Sequence, residues 1–217
     1  MYKSVAIDGP SGAGKSTISK ILADKIGFEY LDTGAMYRAY TLYYLNEKID
    51  INNEKEINKH ISEINLDIRD GHFFLQDQNV DKEIRSKEVT TNVSLISSYK
   101  EIRSHLVREQ RRISKKTNIV LDGRDIGTQV LPDASIKFFL TADSKVRAKR
   151  RLDQLDDSSI SFDEVLKDII RRDEYDSSRV NSPLRKADDA IEIDSSNFSI
   201  NQVIDIMIKH LEEKNVI

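Results

Sequence analysis

The stretch "IDGPSGAGKST", residues 7–17, decides the fold. It contains the pattern G-x-x-x-x-G-K-[ST] from Gly9 to Ser16, between a short apolar run and a segment with helical spacing. In that context the N–H groups of a glycine-rich turn and the start of the following helix bind phosphate groups. A glycine-rich turn that only caps a helix is the alternative. The context favours a P-loop domain that binds a nucleoside triphosphate.

The residues of this loop have separate predicted tasks. Lys15 adds a full positive charge against the β- and γ-phosphates, Ser16 is placed to ligate Mg²⁺, and Thr17 to contact the α-phosphate. The predicted ATP-binding residues are Gly9, Pro10, Ser11, Gly12, Ala13, Gly14, Lys15, Ser16 and Thr17. The motif identifies a phosphate donor but not a reaction.

Apolar runs alternate with helical patterns along the rest of the chain. Strands are predicted at 4–8, 28–32, 118–122, 136–141 and 190–194, and helices at 15–26 and 35–45. This alternation predicts an α/β fold with a five-stranded parallel sheet and helices on both faces.

Two polar regions interrupt this rhythm. Residues 49–93 contain "LDIRDGHFFLQDQ", which predicts a hairpin turning near Asp70-Gly71, so we interpret 49–93 as an inserted subdomain with its own small sheet. The core domain then comprises 1–48 and 94–217. The second region, "RLDQLDDSSISF" at 151–162, is interpreted as a mobile loop in a short lid at about 146–172.

Composition excludes several classes of protein. With 34 Lys and Arg against 37 Asp and Glu, the chain has no general charge for coating nucleic acid, and without cysteine it has no thiolate site. The histidines (His60, His72, His105 and His210) are scattered and are interpreted as ordinary surface or packing residues. No apolar run approaches the ~20 residues that span a bilayer. The chain begins almost directly with a strand, so a cytoplasmic protein with no membrane partner is expected.

Arginines are frequent after the phosphate loop. Neither an N-K-x-D guanine motif nor an L-S-G-G-Q transporter signature is present. Phosphoryl transfer to a second phosphate needs positive charge and alignment but no general base. The candidate charges are Arg38, Arg124, Arg147, Arg150, Arg151, Arg171, Arg172 and Arg179. The alternative is a set of solvated helix faces with salt bridges to acids such as Asp168 and Glu174. Arg38 and Arg124 are favoured as phosphate ligands because each follows a strand at a position where loops face the donor site.

Several motifs in order extend the argument from the loop to nearly the whole chain. They are "LDTGAMYR" at 31–38, "VSLISSYKEIRSHLVREQRR" at 93–112, "LDGRDIGT" at 121–128, "RRDEYDSSR" at 171–179 and "SPLRKADDAIEID" at 182–194. With the phosphate loop, they make the chain resemble the bacterial-type cytidylate kinases, which are nucleoside monophosphate kinases. The resemblance implies Mg²⁺-dependent phosphorylation of CMP and dCMP by ATP through direct in-line transfer. Two features depart from the family: no proline lies near Lys100, and the lid loop is slightly short.

The resemblance also implies the acceptor-binding residues. Arg38, Arg124 and Arg172 would bind the acceptor phosphate or the transferring group, and Thr33 and Tyr37 would shape that pocket. Ser94, Arg103 and Asp125 would contact cytosine, and Asp176 and Arg179 the ribose. Lys15, Arg124 and Arg172 would be catalytic, and 49–93 would be the monophosphate-binding subdomain.

Two carboxylates in "LDGRDIGT" have different predicted tasks. Asp125 suits the exocyclic amine of cytosine, whereas uracil would present a carbonyl there. Asp122 would bind Mg²⁺ through a water, with a turn-forming or helix-capping role as the alternative.

Other functions stay open at this point. The rivals are a kinase for UMP, another nucleotide or a small metabolite, and a regulator that uses ATP occupancy as a switch. Our prediction is a monomeric enzyme with ATP and CMP or dCMP as partners, and no nucleic acid.

Overall fold

The computed structural model describes residues 2–153 and 160–217. The chain forms two compact units, one of Met1–Leu31 with Ser114–Ile217 and the other of Asp32–Ile113. In chain order, the helices and strands are β1 (Ser4–Asp8), α1 (Lys15–Ile26), β2 (Glu29–Asp32), α2 (Thr33–Asn46), α3 (Glu54–His60), β3 (Leu66–Arg69), β4 (His72–Leu75), β5 (Gln78–Asn79), α4 (Lys87–Ile96), α5 (Lys100–Ser114), β6 (Ile119–Gly123), β7 (Ile136–Thr141), α6 (Ser144–Leu152), α7 (Phe162–Ser178), β8 (Ile191–Asp194) and α8 (Ile200–Glu213). A short π-helical turn, Ile126–Val130, follows β6.

The first unit is built on a five-stranded sheet in the order β2-β6-β1-β7-β8. The register of β1 is parallel with both β6 and β7, and β7 is parallel with β8. Since β1 lies in the centre, the phosphate loop leaves the sheet between two neighbouring strands. The predicted α/β class is confirmed, and the predicted strands differ from the observed ones by at most one residue at an end.

Alternation along the central strand separates two faces of this sheet. Val5 and Ile7 pack in one core cluster with residues of α1 and α8, including Leu22 and Met207. Strand residues two apart point to the same face, so Ala6 and Asp8 point to the opposite one. The π-helical turn lies against β1. A buried carboxylate therefore lies on the face that does not belong to the α1–α8 core.

The second unit contains α2 to α5 and a small antiparallel sheet, β3-β4-β5. Arg69 pairs with His72 across a two-residue turn in which both Asp70 and Gly71 have positive φ, 52° and 77°. Two such residues are typical of a type I′ hairpin, so the predicted hairpin is confirmed. The third strand, Gln78–Asn79, was not predicted.

The predicted insertion, 49–93, lies inside the second unit, which begins earlier and ends later. Its role as a monophosphate-binding subdomain stays a prediction. Part of the predicted lid, 154–159, lies outside the described residues; the remainder belongs to α6, to α7 and to the residues beside them. In the described part of the chain, we find no helix with the length and apolar character needed to cross a membrane.

Candidate active site

The phosphate loop begins at a position that admits only glycine. Gly9 has φ 152°, and a Cβ atom built there would lie 1.9 Å from the carbonyl oxygen of Leu140 on β7. Gly14 precedes α1 in a left-handed conformation, with φ 89°. The close approach at Gly9 and the left-handed residue at Gly14 explain the two glycines that the motif requires.

Lys15 is the buried charge of this loop. Its side chain is almost fully buried, and Nζ donates to the carbonyl oxygen of Pro10 at 2.8 Å. Burial, together with the neighbouring Arg124 charge, lowers the pKa of Lys15 to about 7, against the opposite effect of Asp122 and Asp8. A desolvated ammonium in this place gains strongly from an arriving polyphosphate.

The residues predicted to hold Mg²⁺ lie together. The Ser16 hydroxyl donates to Asp122 Oδ2 at 3.0 Å, and the Tyr30 hydroxyl donates to Asp122 Oδ1 at 2.8 Å. A hydroxyl next to a carboxylate is a fitting donor set for a hard cation. Tyr30 was not predicted, and its position on the edge strand β2 gave no signal for this contact.

Arg147 was predicted as a charge for phosphate, but its side chain is otherwise engaged. It is buried in α6 and donates to the carbonyl oxygens of Ala142 and Ser11, each at 2.8 Å, and to Asp173 on α7. Asp173 also accepts from the backbone N–H of Ser11 at 3.2 Å. This arginine therefore ties both lid helices to the phosphate loop.

Other candidate arginines of α6 and α7 differ in their contacts. Arg150 donates to the hydroxyl and the carbonyl oxygen of Ser195. Arg171 forms an exposed i,i+3 pair with Asp168, as the surface alternative predicts. Arg172 is half-buried in the middle of α7.

Arg124 and Arg179 share one carboxylate. Arg124 Nε donates to Asp176 Oδ2 at 2.9 Å, and Arg179 Nη1 lies 3.8 Å from Asp176 Oδ1. Arg179 also donates to the carbonyl oxygen of Ser182 at 2.6 Å. Three of the predicted acceptor residues of the first unit therefore form one cluster, in which Asp176 is nearly fully buried.

Asp125 begins the π-helical turn. Its side chain is 4% exposed, and its carbonyl oxygen accepts from the N–H groups of Gln129 and Val130. Asp8 accepts from the next two N–H groups, those of Ile126 and Gly127, at 2.7 Å each. Asp8 was not predicted to matter, although a carboxylate directly before the phosphate loop was a visible signal.

In the second unit, Asp32 organises the start of α2. It accepts from the N–H of Ala35 at 2.8 Å and from Arg38 Nη2 at 2.9 Å. Burial acts to raise the pKa of Asp32, but Arg38, the Ala35 N–H and Arg85 lower it below its ordinary value. The buried Nε of Arg38 has no hydrogen-bond partner among the described residues. Arg85, which lies 4.0 Å from Asp32, was not predicted.

The remaining predicted residues of this unit are also inward-facing. The guanidinium of Arg103 lies 5.3 Å from the centre of the Tyr37 ring and donates to the carbonyl oxygen of Ser97 at 3.0 Å. Ser94 on α4 and Thr33 at the start of α2 are both buried. Arg103 and Tyr37, predicted to serve base and phosphate respectively, are neighbours.

Comparison with known proteins now decides the family. A family profile described as "Cytidylate kinase" matches residues 5–213. A cytidylate kinase of Fusobacterium nucleatum is 49% identical over 211 residues, which is 96% of this chain and 97% of that protein. The chain belongs to the cytidylate kinase family. The cytidylate kinase of Acholeplasma laidlawii is 46% identical over 96% of this chain and 94% of its own.

Solved structures place the fold more broadly. A gluconokinase from Sinorhizobium meliloti superposes with a TM-score of 0.53 at 12% identity, over 97% of this chain and 92% of that one. This likeness concerns the fold alone. For this cytidylate kinase family member, the specific information lies in the full-length sequence matches and in the side chains described above.

Proposed function

We propose that this chain transfers the γ-phosphoryl group of ATP to CMP and to dCMP, giving the diphosphates. The single observation that carries this proposal, beside membership of the family, is the arrangement at the end of β6. There Asp122 contacts Ser16 of the phosphate loop, and Arg124, two residues further on, pairs with the buried carboxylate of Asp176. Such an arrangement brings donor-binding groups and a cation for the transferring phosphate to one strand end.

The chemistry needs charge and alignment more than proton transfer. The N–H groups of the phosphate loop and Lys15 bind the donor phosphates, and the ionised acceptor phosphate attacks without a general base. Ser16 and Asp122 would hold Mg²⁺, which neutralises charge on the phosphate oxygens when bound. Arg124 and Arg172 would stabilise the charge on the transferring phosphoryl group and on the leaving oxygen in an in-line transfer.

Arg38 would bind the acceptor phosphate in the second unit. Its Nη2 is occupied by Asp32, whereas its buried Nε retains an N–H for a ligand. A guanidinium has five N–H groups and can bind phosphate oxygens through two of them, so the carboxylate that holds Nη2 leaves further donors for a phosphate. Thr33 and Tyr37 would shape the pocket around this phosphate.

Cytosine would be recognised by Ser94, Arg103 and Asp125. The exocyclic amine of cytosine donates, whereas N3 and O2 accept, so a carboxylate, a guanidinium and a hydroxyl complement that edge. Uracil would place a carbonyl against the Asp125 carboxylate, with a penalty of roughly 1–3 kcal/mol for the unpaired contact. Asp176 and Arg179 would bind the ribose. We further propose a cytoplasmic monomer with no nucleic-acid or membrane partner.

An acceptor panel tests this function directly. The formation of ADP from ATP is measured with CMP, dCMP, UMP, AMP and shikimate, with and without Mg²⁺. The expected result is rapid, Mg²⁺-dependent turnover with CMP and dCMP and much slower turnover with the other acceptors. Faster turnover with another acceptor would reassign the substrate. If no acceptor raises ADP release above slow hydrolysis, the chain is a nucleotide-dependent switch.

A further inference from the structure

Asp8 is a buried carboxylate for which the proposed mechanism has no task. It is the last residue of the central strand β1, it is 4% exposed, and it directly precedes the phosphate loop. Both of its oxygens are engaged by the turn that follows β6. Oδ1 accepts from the N–H of Ile126 and Oδ2 from the N–H of Gly127, each at 2.7 Å.

Two adjacent backbone donors require two acceptor oxygens on one side chain. A carboxylate supplies them, whereas an amide of the same shape would turn its NH₂ group toward one of the N–H donors. Charge-assisted bonds of this kind are stronger than neutral ones. The ionised side chain is therefore the form that accepts most strongly from both donors.

The surroundings of Asp8 oppose its charge. Burial raises the pKa of Asp8 to about 6, and the nearby Asp125 adds to this rise. The two N–H donors and Lys15 act in the opposite direction. From β7, the side chain of Lys137 approaches Gly127 but pairs with Asp189. A carboxylate maintained here against desolvation is expected to serve something other than stability.

The hydrogen bonds from Ile126 and Gly127 to Asp8 also restrain Asp125, the residue that precedes them. Asp125, whose φ is −147°, connects β6 to the turn, and its carbonyl oxygen accepts from Gln129 and Val130. The backbone at Asp125 therefore has little freedom. Its carbonyl oxygen is held by the N–H groups of Gln129 and Val130, and the next two N–H groups are held by Asp8. Arg124 and Asp125 lie between the end of β6 and the two residues that Asp8 anchors.

We propose that Asp8 is a positioning residue for the acceptor nucleotide. By anchoring the N–H groups of Ile126 and Gly127 it sets the direction of the Asp125 carboxylate, and so contributes to the choice between CMP and UMP. This proposal rests on the proposed function, because a base must be read at Asp125. It assigns to the residue that directly precedes the phosphate loop a task in acceptor specificity.

The variant Asp8→Asn tests the proposal. The expected result is a KM for CMP that rises ~10-fold and a ratio of CMP to UMP efficiency that falls several-fold, because misplacement of a binding group by a fraction of an ångström is costly. The KM for ATP should rise by a smaller factor than the KM for CMP, because the phosphate loop keeps its own bonds and loses only the effect of Asp8 on the Lys15 charge. Asp8→Glu, which restores the charge with a longer side chain, should recover part of the ratio.

A matched control separates positioning from loss of stability. Ile204→Val on α8 removes one buried methylene from the core cluster and lowers the free energy of unfolding without a contact to the turn. It should leave both KM values and the CMP to UMP ratio unchanged. Amide hydrogen exchange without substrate gives an independent readout, in which Asp8→Asn should speed exchange at Ile126 and Gly127.

The outcomes are distinct. If Asp8→Asn raises the KM for ATP and leaves CMP discrimination intact, Asp8 serves the phosphate loop and the proposal is wrong. Equal changes in Asp8→Asn and Ile204→Val would likewise overturn it, because the effect would then be one of stability. If the parent protein does not phosphorylate CMP, the proposed function fails, while faster exchange at the turn would still test the anchoring itself.

Discussion

The phosphate loop and the acceptor residues are built on different principles. The loop, Gly9 to Thr17, is one continuous stretch whose donors are mainly backbone N–H groups and whose shape depends on glycines. The proposed acceptor residues are side chains taken from α2, α4, α5 and α7 and from the residues next to β6 and α7, and they belong to two compact units. A backbone site has to be contiguous, whereas a side-chain site can be assembled from distant residues. This difference explains why one was readable as a motif and the other only through resemblance.

Lys15→Met should have the largest effect and should act on every acceptor alike. Methionine keeps the length of the side chain but removes the charge that meets the donor phosphates, so kcat should fall ~10³-fold with CMP and dCMP. Steady-state ADP formation measures this. Lys25→Met, an exposed lysine near the end of the same helix, should leave kcat unchanged. A loss confined to one acceptor would break the division between donor and acceptor regions.

Asp8 lies at the boundary of the two regions, and its burial makes stability depend on pH. Its pKa is about 6 in the folded protein against an ordinary value of 3.8, so the folded state binds the proton more tightly. The free energy of unfolding should therefore fall as pH rises through this interval. Two pKa units correspond to about 3 kcal/mol.

Denaturant unfolding of the parent and of Asp8→Asn between pH 4 and pH 7 measures this contribution. The difference in unfolding free energy, parent minus variant, should decrease by about 2 kcal/mol over the interval, since part of the full effect lies below pH 4. Other carboxylates, such as Asp32, titrate in both proteins and cancel. A difference that stays constant with pH would mean that Asp8 is ionised without cost.

Arg124→Ala should lower turnover with all acceptors. Arg124 faces phosphate in our proposal and contacts Asp176, which would lose a partner, so kcat should fall ~10²-fold with CMP, dCMP and UMP. Arg171→Ala is the control, since its only described pair is an exposed one with Asp168. If UMP turnover survived while CMP turnover dropped, Arg124 would read the base.

Asp125→Asn should give the smallest effect and the most selective one. The amide can donate to the O4 carbonyl of uracil, so the ratio of CMP to UMP efficiency should fall at least ~10-fold. Competition between the two acceptors in one reaction measures the ratio. An unchanged ratio would exclude Asp125 as the base reader and leave Arg103 as the candidate.

Local rules predicted the fold well. The span of α1 was predicted at 15–26 from its apolar spacing, and the structure shows left-handed glycines, Gly14 and Gly27, at its two ends. The Asp70-Gly71 turn was predictable because two consecutive positive φ values need such residues. The division into 1–31 with 114–217 and 32–113 was not predicted, since it depends on contacts between distant segments.

Some site contacts were predicted and others were not, because the sequence does not show which side chains pair with each other. The sequence shows that an arginine is present but not which carboxylate forms an ion pair with it. Arg147 and Arg124 were both candidate charges, with Arg124 favoured by its place after a strand. The first is buried against two carbonyl oxygens and Asp173, and the second is paired with Asp176. Asp8, Tyr30 and Arg85 were missed because their partners lie on other elements.

The contact between Asp173 and the N–H of Ser11 links α7 to the phosphate loop. A fluorescent label on α7 can therefore be used to follow nucleotide binding. The chain has no cysteine, so a single thiol introduced as Glu174→Cys, at an exposed neighbour of Asp173, takes one fluorescent label without competition. Arrival of triphosphate beside Ser11 changes the surroundings of that N–H and of its carboxylate partner. A dye on α7 should therefore report nucleotide occupancy in real time, without any phosphoryl transfer.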